Sequence, residues 1–499
     1  MQKRARYSRI ERKAPTRTDR ILHARTSGAC LFWRTVSLRQ SEFMNDRSPI
    51  LRSRVVRIAA ASAVGFVAGC SHYAPLPLAG APPLAADLHA LQRPDADLPP
   101  EPLSVAQVVD LALANNPDLK AARRRRAVAA GQTRQAGILP NPQLTGAFLP
   151  LLSGVGSVPA WNIGLAQDVR ALVTYRSRRR AAKDSEAQVA ADIVWQEWQV
   201  AGQARQIATD LIVNANSRAS YVGAYQLLAA RNAKLEQALA AGNVTLVTVA
   251  PDRVALQAAR SALNALDQRQ LALMHQLDAL LGLAPDVAVP LATRADLPPF
   301  DPAAIRAGLA SLPKRRPDLI ALQMGYAAAD EQLRQAILSQ FPDLVLGASV
   351  NSDNSKVVNG GPNLAVGLPI FDRNQGNVAV ARATRLQLHE EYGARLAAAV
   401  GTVEAMLREM EQLSAQLAAA RADLPAAQLA ATRAQAAFGA SNLDERGYVD
   451  LVSNRFIKEQ DIMTLELALL DRQIAIQTLV GDGLPAVTLP AADADAMPR

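Results

Sequence analysis

The sequence has 499 residues, of which 49% are apolar, enough for a sizeable core, while aromatic residues make up only 4% and charged residues 20%. Ala and Leu therefore carry the hydrophobicity, a balance that favours long close-packed helices over a β-sandwich or an ordinary enzyme core. The net charge of +9 does not point to nucleic acid: 15 of the 54 Lys and Arg, but only 4 of the 45 acidic residues, fall within residues 1–70, so the remainder is slightly acidic. Two cysteines, Cys30 and Cys70, are too few and too far apart for a disulfide framework or a cysteine metal site.

From Met44 the chain reads as a signal sequence, with Arg47, Arg52, Arg54 and Arg57 ahead of an apolar run over 58–69. Such a run rises only about 18 Å as a helix and cannot cross a ~30 Å hydrocarbon core. Val67-Ala68-Gly69-Cys70 resembles the lipobox of bacterial lipoproteins. That resemblance implies lipid attachment at Cys70 and, with Ser71 following, sorting to the outer membrane. An ordinary signal peptide with an incidental cysteine is the alternative. Residues 44–69 are thus the lipoprotein signal peptide and 70–100 a lipidated linker, with 1–43 an upstream extension or a start assigned too early.

The rest of the chain says the same thing twice. Asn116-Pro117-Asp118-Leu119 and Arg316-Pro317-Asp318-Leu319 lie 200 residues apart, and Gln132/Gln332, Arg134/Arg334, Gln135/Gln335 and Pro142/Pro342 keep that register. Near-equal offsets pair Gly164 with Gly367, Gly242 with Gly439, and Gly282 with Gly481. A period this long is a duplicated half-subunit rather than a solenoid. The first unit covers 101–285 and the second 317–485, with a linker over 286–316 and a tail over 486–499.

Each unit opens with a helix, over 104–137 behind the N-cap candidate Ser104, and over 318–340 behind Pro317. Stretches of period two follow. The segments 343–351 and 362–371 alternate apolar with polar or small residues, as does 161–173, whereas 141–153 alternates poorly. Asn351 to Gly361 reads as a polar loop. Helical hairpins come next, 177–281 broken over 242–251 and 376–480 broken over 439–446, with Pro425 predicting a kink or local break. Val403, Met406, Met410, Leu413, Leu417 and Leu424 step by threes, fours and sevens, the spacing of coiled-coil packing.

Four strands of about ten residues have membrane-spanning length, yet an open sheet edge cannot face lipid and the smallest closed barrels need about eight strands. One chain cannot close such a barrel, so it must share one with copies of itself, and the long helices continue the wall into the periplasm as a tube.

Residues 100–485 resemble the TolC-type outer-membrane efflux proteins. The resemblance is carried by Leu111-Ala112-Leu113 with Asn115-Asn116-Pro117-Asp118-Leu119, Arg316-Pro317-Asp318-Leu319, Phe341-Pro342-Asp343-Leu344, and Leu368-Pro369-Ile370-Phe371-Asp372 running into Asn374-Gln375-Gly376-Asn377. It implies a mixed α and β membrane protein in which the duplicated helix–strand–strand–helical-hairpin unit builds a trimeric 12-stranded outer-membrane β-barrel, continued by a long periplasmic α-helical coiled-coil barrel. It also implies a passive, non-enzymatic duct that docks with a periplasmic adaptor and an inner-membrane pump. Asp372 to Gly376, Leu443 to Arg446 and Tyr448 to Val452 are similar to the heavy-metal branch, so heavy-metal cations or drugs are the expected cargo.

Expected site residues follow from that architecture. The helix breaks form the periplasmic tips, where Asp444, Glu445 and Asp450, with Asp252 at the other break, are candidates for an acidic entrance or gate, helix capping being the plainer role. Trp161, Tyr175, Phe341 and Phe371 lie near strand ends and suit an interfacial aromatic belt, packing being the alternative. Arg123 to Arg126 and Arg178 to Arg180 fan around helices and read as solvated surface rather than a nucleic-acid patch. The histidines, His23, His72, His89, His275 and His389, are scattered, and no nucleophile elbow, metal motif or dinucleotide fingerprint occurs, so no catalytic residue, resident metal or cofactor beyond the lipid is expected. A periplasmic adaptor lipoprotein is the rival reading. It would need one hairpin flanked by β-rich domains, whereas hairpins here occur twice.

Overall fold

The computed structural model describes residues 73–92 and 102–488. The expectations for 1–43, the 44–69 signal peptide and Cys70 lie outside those residues, as do parts of the linker and tail. The chain divides at Gly80/Ala81, and of the first part only 73–80 are described, an exposed stretch without helix or strand.

The second part is the duplicated unit. Its first half holds α1 (Val105–Asn115), α2 (Pro117–Ala136), β1 (Gln143–Leu149), β2 (Ala160–Asp168), α3 (Arg170–Ala240) and α4 (Leu246–Leu281). The second half, after short helical turns between Pro302 and Arg315, holds α5 (Pro317–Leu338), β3 (Asp343–Ser352), β4 (Val358–Gly367), α6 (Gln375–Gly439) and α7 (Glu445–Val480). The strands form one antiparallel sheet in the order β1-β2-β3-β4.

Ser104 caps α1 as expected, in a reciprocal box: the Gln107 N–H donates to its hydroxyl and the Ser104 N–H to the Gln107 side chain. The single helix expected over 104–137 is instead two. A proline disfavours helical torsions in the residue before it, and Asn116 accordingly leaves the helix at ψ 124°. Its carboxamide then caps α2 by accepting from the Leu119 N–H at 2.9 Å, and donates to the Leu280 carbonyl at 3.0 Å.

The strand boundaries also shift. β1 forms despite its poor alternation, because Leu144 and Phe148 share a face with Gly146 between them. β2 ends at Asp168 rather than 173, and α3 begins at Arg170, seven residues earlier than expected. β4 starts at Val358, inside the segment read as a loop. The turn is confined to Asp353–Val357, where the Asp353 carboxylate accepts from the Ser355 and Val357 N–H groups.

The long helices run unbroken. α3 has 71 residues and α6 has 65, about 107 and 98 Å at 1.5 Å per residue. Pro425 sits inside α6 without the local break its presence suggested. Likewise α4 starts at Leu246, so Pro251 lies within it, where the missing N–H deprives only the Val247 carbonyl of its helical donor.

The helix ends display the duplication most directly. After α3 the Asn243 N–H donates to the Ala238 carbonyl, and after α6 the Asn442 N–H donates to that of Ala437, both at 2.8 Å. The left-handed residue between is Gly242 in the first half and Ser441, not Gly439, in the second. Gly282 and Gly481 are the matching left-handed caps of α4 and α7, the Leu283 N–H reaching the Asp278 carbonyl and the Asp482 N–H that of Gln477. The Pro117 ring packs against Gly282, so α4 and α2 abut end to end alongside α3. Around this junction lies the largest core, built from Leu103, Val108, Leu111, Leu211, Leu277 and Leu281 among others. A second core joins Leu319 of α5, Val403 and Leu407 of α6, and Ile476 of α7. The coiled-coil positions read from α6 are buried or half-buried throughout.

Candidate functional site

The sheet has two chemically different faces, because partners across an antiparallel ladder point to the same side. The register aligns Leu144 with Leu165, Leu165 with Ala348, and Ala348 with Pro362. That face carries Leu144, Phe148, Trp161, Ile163, Leu165, Leu344, Leu346, Val350, Val358, Leu364 and Val366, with Gln167 and Ser352 its polar members. The opposite face is mostly small or polar, with Thr145, Asn162, Gly164, Asp168, Gly347, Ser349, Asn351, Asn359, Gly361 and Asn363, and carries Leu149 and Val345 as its large apolar members. Large apolar side chains remain exposed on the first face, Leu144 at 75%, Phe148 at 68% and Leu364 at 60%. A continuous apolar surface of this kind is a contact surface for something that is not water. β1 and β4 are the edges of the sheet in the single chain.

The aromatic candidates separate. Trp161 lies inside β2 opposite Phe148, toward the end of the sheet that carries the β3–β4 turn. Phe341 and Phe371 flank the other end and are exposed. Tyr175 belongs to α3, half-buried, and is not part of a strand end.

The four acidic candidates also separate, and a residue that sequence reasoning passed over organises two of them. Arg231, on α3, donates from Nε to Asp252 Oδ1 of α4 at 2.8 Å and forms an ion pair with Glu445 of α7. Its guanidinium lies over the rings of Phe438 and Tyr448, 4.3 and 4.2 Å from their centroids. Asp252 is fully buried and Glu445 nearly so; burial pushes the Asp252 carboxyl up and Arg231 pulls it back. Asp444 caps α7 by accepting from the Gly447 N–H at 3.3 Å, the plainer of the two roles. Asp450 is exposed, with Arg446 3.9 Å away. The signal for Arg231 was available: it falls at the seventh residue after Ala224 and the third after Leu228, both buried, so an arginine occupies the apolar seam of a coiled-coil pattern.

The arginine runs do more than face solvent. Arg123 pairs with Glu197 at 2.8 Å and Arg125 donates to Gln196, tying α2 to α3. Arg178 donates to the carbonyls of Ala136 and Ile138, and Arg180 reaches Glu331 of α5 at 3.5 Å. Among the described residues no cluster of three or more metal-ligating side chains occurs and no helix is long and apolar enough to cross a membrane.

Residues 309–482 match the model of the outer membrane efflux protein family. None of the curated proteins matches the sequence. Among solved structures, the chain is similar to CusC, described as forming a transmembrane channel, at 18% identity and a TM-score of 0.62, covering 78% of this chain and 98% of that one. It is similar to the outer membrane protein VceC of Vibrio cholerae at 18% identity and a TM-score of 0.62, covering 76% and 96%. The Campylobacter jejuni CmeC outer membrane channel gives 16% identity and a TM-score of 0.65 over 85% and 97%. At these identities the likeness is one of fold.

Proposed function

We propose that the chain belongs to the outer membrane efflux protein family, whose model matches residues 309–482, and that it is the outer-membrane channel of a tripartite efflux pump of the resistance-nodulation-division type. In this reading it conducts exported solutes passively from the periplasm to the exterior and performs no chemistry of its own. Three chains close a 12-stranded barrel, Cys70 carries the lipid anchor, and a periplasmic adaptor and an inner-membrane pump engage the helical end. Heavy-metal cations or drugs are the cargo.

The observation that carries this reading is the two-faced sheet with two free edges. The apolar face suits the hydrocarbon, the small polar face suits a water-filled lumen, and the edges need partners because lipid supplies no hydrogen bonds. The long helices α3 and α6 then extend the wall by about 100 Å, and the Arg231 cluster sits at their far ends, where the entrance lies. A periplasmic adaptor has no use for such a sheet.

The test is a detergent extract of the full chain. A heat-sensitive assembly of three chains with single-channel conductance in a planar bilayer supports the proposal, and a single chain without conductance refutes it. Resistance profiling of a deletion strain against metals, drugs and solvents assigns the cargo. Loss of fatty-acid label in Cys70→Ala tests the anchor. At the entrance, Asp450→Ala lowers cation preference, whereas Asp444→Ala weakens the start of α7 by about 1 kcal/mol through the lost cap; single-channel selectivity and thermal unfolding separate the two.

A further inference from the structure

Between the end-to-end helix junction and the tip, α3 of the first half runs antiparallel to α7 of the second, along a seam of small residues where Gly202 touches Thr478. One rung of this seam is acid against acid. Asp210 of α3 is 5% exposed, and its Oδ2 accepts from Arg269 of α4 at 3.1 Å. Its Oδ1 is buried without a donor, and so is Oδ1 of Asp471 on α7. Gly202 meets Thr478 and Arg205 reaches Asp482 across the seam, and two turns toward the tip, eight residues on in α3 and seven back in α7, the same antiparallel register brings Asp210 and Asp471 to one rung. Two carboxylates cannot hydrogen-bond, since both only accept; one proton between them satisfies both oxygens and removes one of two like charges.

The other charged groups around the pair leave that demand in place. Arg269 is engaged with Asp210. Arg472, next to Asp471 on α7, makes two hydrogen bonds to Glu409 of α6, at 2.8 and 3.0 Å. Arg205, on α3, donates to the carbonyls of Asp482 and Gly483.

We propose that Asp210 and Asp471 share one proton across the α3–α7 seam and so form an acid clasp between the two helical hairpins, closed at low pH and released as the pH approaches neutrality. Burial, then the charge and hydrogen bonding of Asp210, push Asp471 up to about 6, against the opposing pull of Arg269 and Arg472. A folded value above the ordinary 3.8 means that this contribution is complete below about pH 4 and is lost as the pH rises through about 6. The clasp goes beyond channel activity, and its test does not need conductance.

Hydrogen exchange over 205–215 and 466–478 is compared at matched pH in the full chain and in Asp471→Asn, whose amide donates to Asp210 without titrating. Relative to the variant, the parent chain loses about thirtyfold in protection between about pH 4.5 and 7.5, the change expected for a group moving between 3.8 and about 6. Asp471→Ala, which neither donates to Asp210 nor titrates, shows no such pH-dependent loss. A ratio that does not change with pH overturns the clasp, as does calcium restoring protection to the parent chain at neutral pH, which would mean a bridging cation instead of a proton. Should either variant fail to fold, the parent chain alone decides: an infrared band of a protonated carboxylic acid that titrates near pH 6 supports the proposal, and no such band in that range overturns it.

Discussion

Arg231 illustrates how one side chain joins parts of the protein that are distant in sequence. Its partners come from α4 and from α7, in different halves of the duplication, and the surrounding rings remove the charges from water. Removing one member of a buried charge group leaves the others uncompensated, so Arg231→Ala costs about 3–5 kcal/mol. The expected result is faster hydrogen exchange over residues 438–452 and a lower melting temperature in detergent. Replacing all three charges together, with Arg231→Leu, Asp252→Asn and Glu445→Gln, restores most of the loss, because no buried charge is then left alone. A triple variant as unstable as Arg231→Ala would mean that ring packing, not charge, holds the tip.

At the scale of elements, the sheet sorts its residues by the parity of their position. Ile163 and Asn162 are neighbours in β2, yet they point to opposite faces. Arginine on the lipid face of a barrel costs about 2–4 kcal/mol at the bilayer midplane. Ile163→Arg is therefore expected to lower the yield of folded, heat-sensitive assembly in the outer membrane, and Asn162→Arg to leave it intact while changing conductance. Equal effects of the two would dismiss the assignment of faces. Alternation in β2 and β3 was legible in the sequence, because larger apolar residues recur at alternate positions, Trp161, Ile163 and Leu165 in β2 and Leu344, Leu346 and Val350 in β3. β1 was harder, since Gly146 blanks the middle of its apolar row, and β4 was displaced because Asn359, Gly360 and Gly361 carry no apolar signal. The Asn116–Pro117 break was missed for another reason. The apolar spacing continues through it, and the decision rests on where the Asn116 carboxamide finds partners.

For the whole molecule, the free edges of β1 and β4 are the feature that a single chain leaves unresolved. If copies close the barrel, a proline on the outward hydrogen-bonding side of either edge strand removes an inter-chain bond without touching the chain's own ladder. Such a proline in β1, and another in β4, are each expected to reduce assembly and to leave the helical content unchanged. Native mass measurement alongside circular dichroism checks this. Assembly unaffected by both would remove the case for closure by edge pairing.

Periodicity and repetition are local or nearly local properties, and the sequence alone determined what they encode: the duplicated unit, the two strand pairs, the hairpins with their turns, and the glycines that end α4 and α7. Which carboxylates meet was decided only in three dimensions. Asp252 and Glu445 stand nearly 200 residues apart, as the two halves do, and converge on an arginine from a third helix; Asp210 finds Asp471 across a seam that joins the halves. Such encounters depend on how long helices are phased against each other, and a shift of one residue about a helix axis, about 100°, would part them.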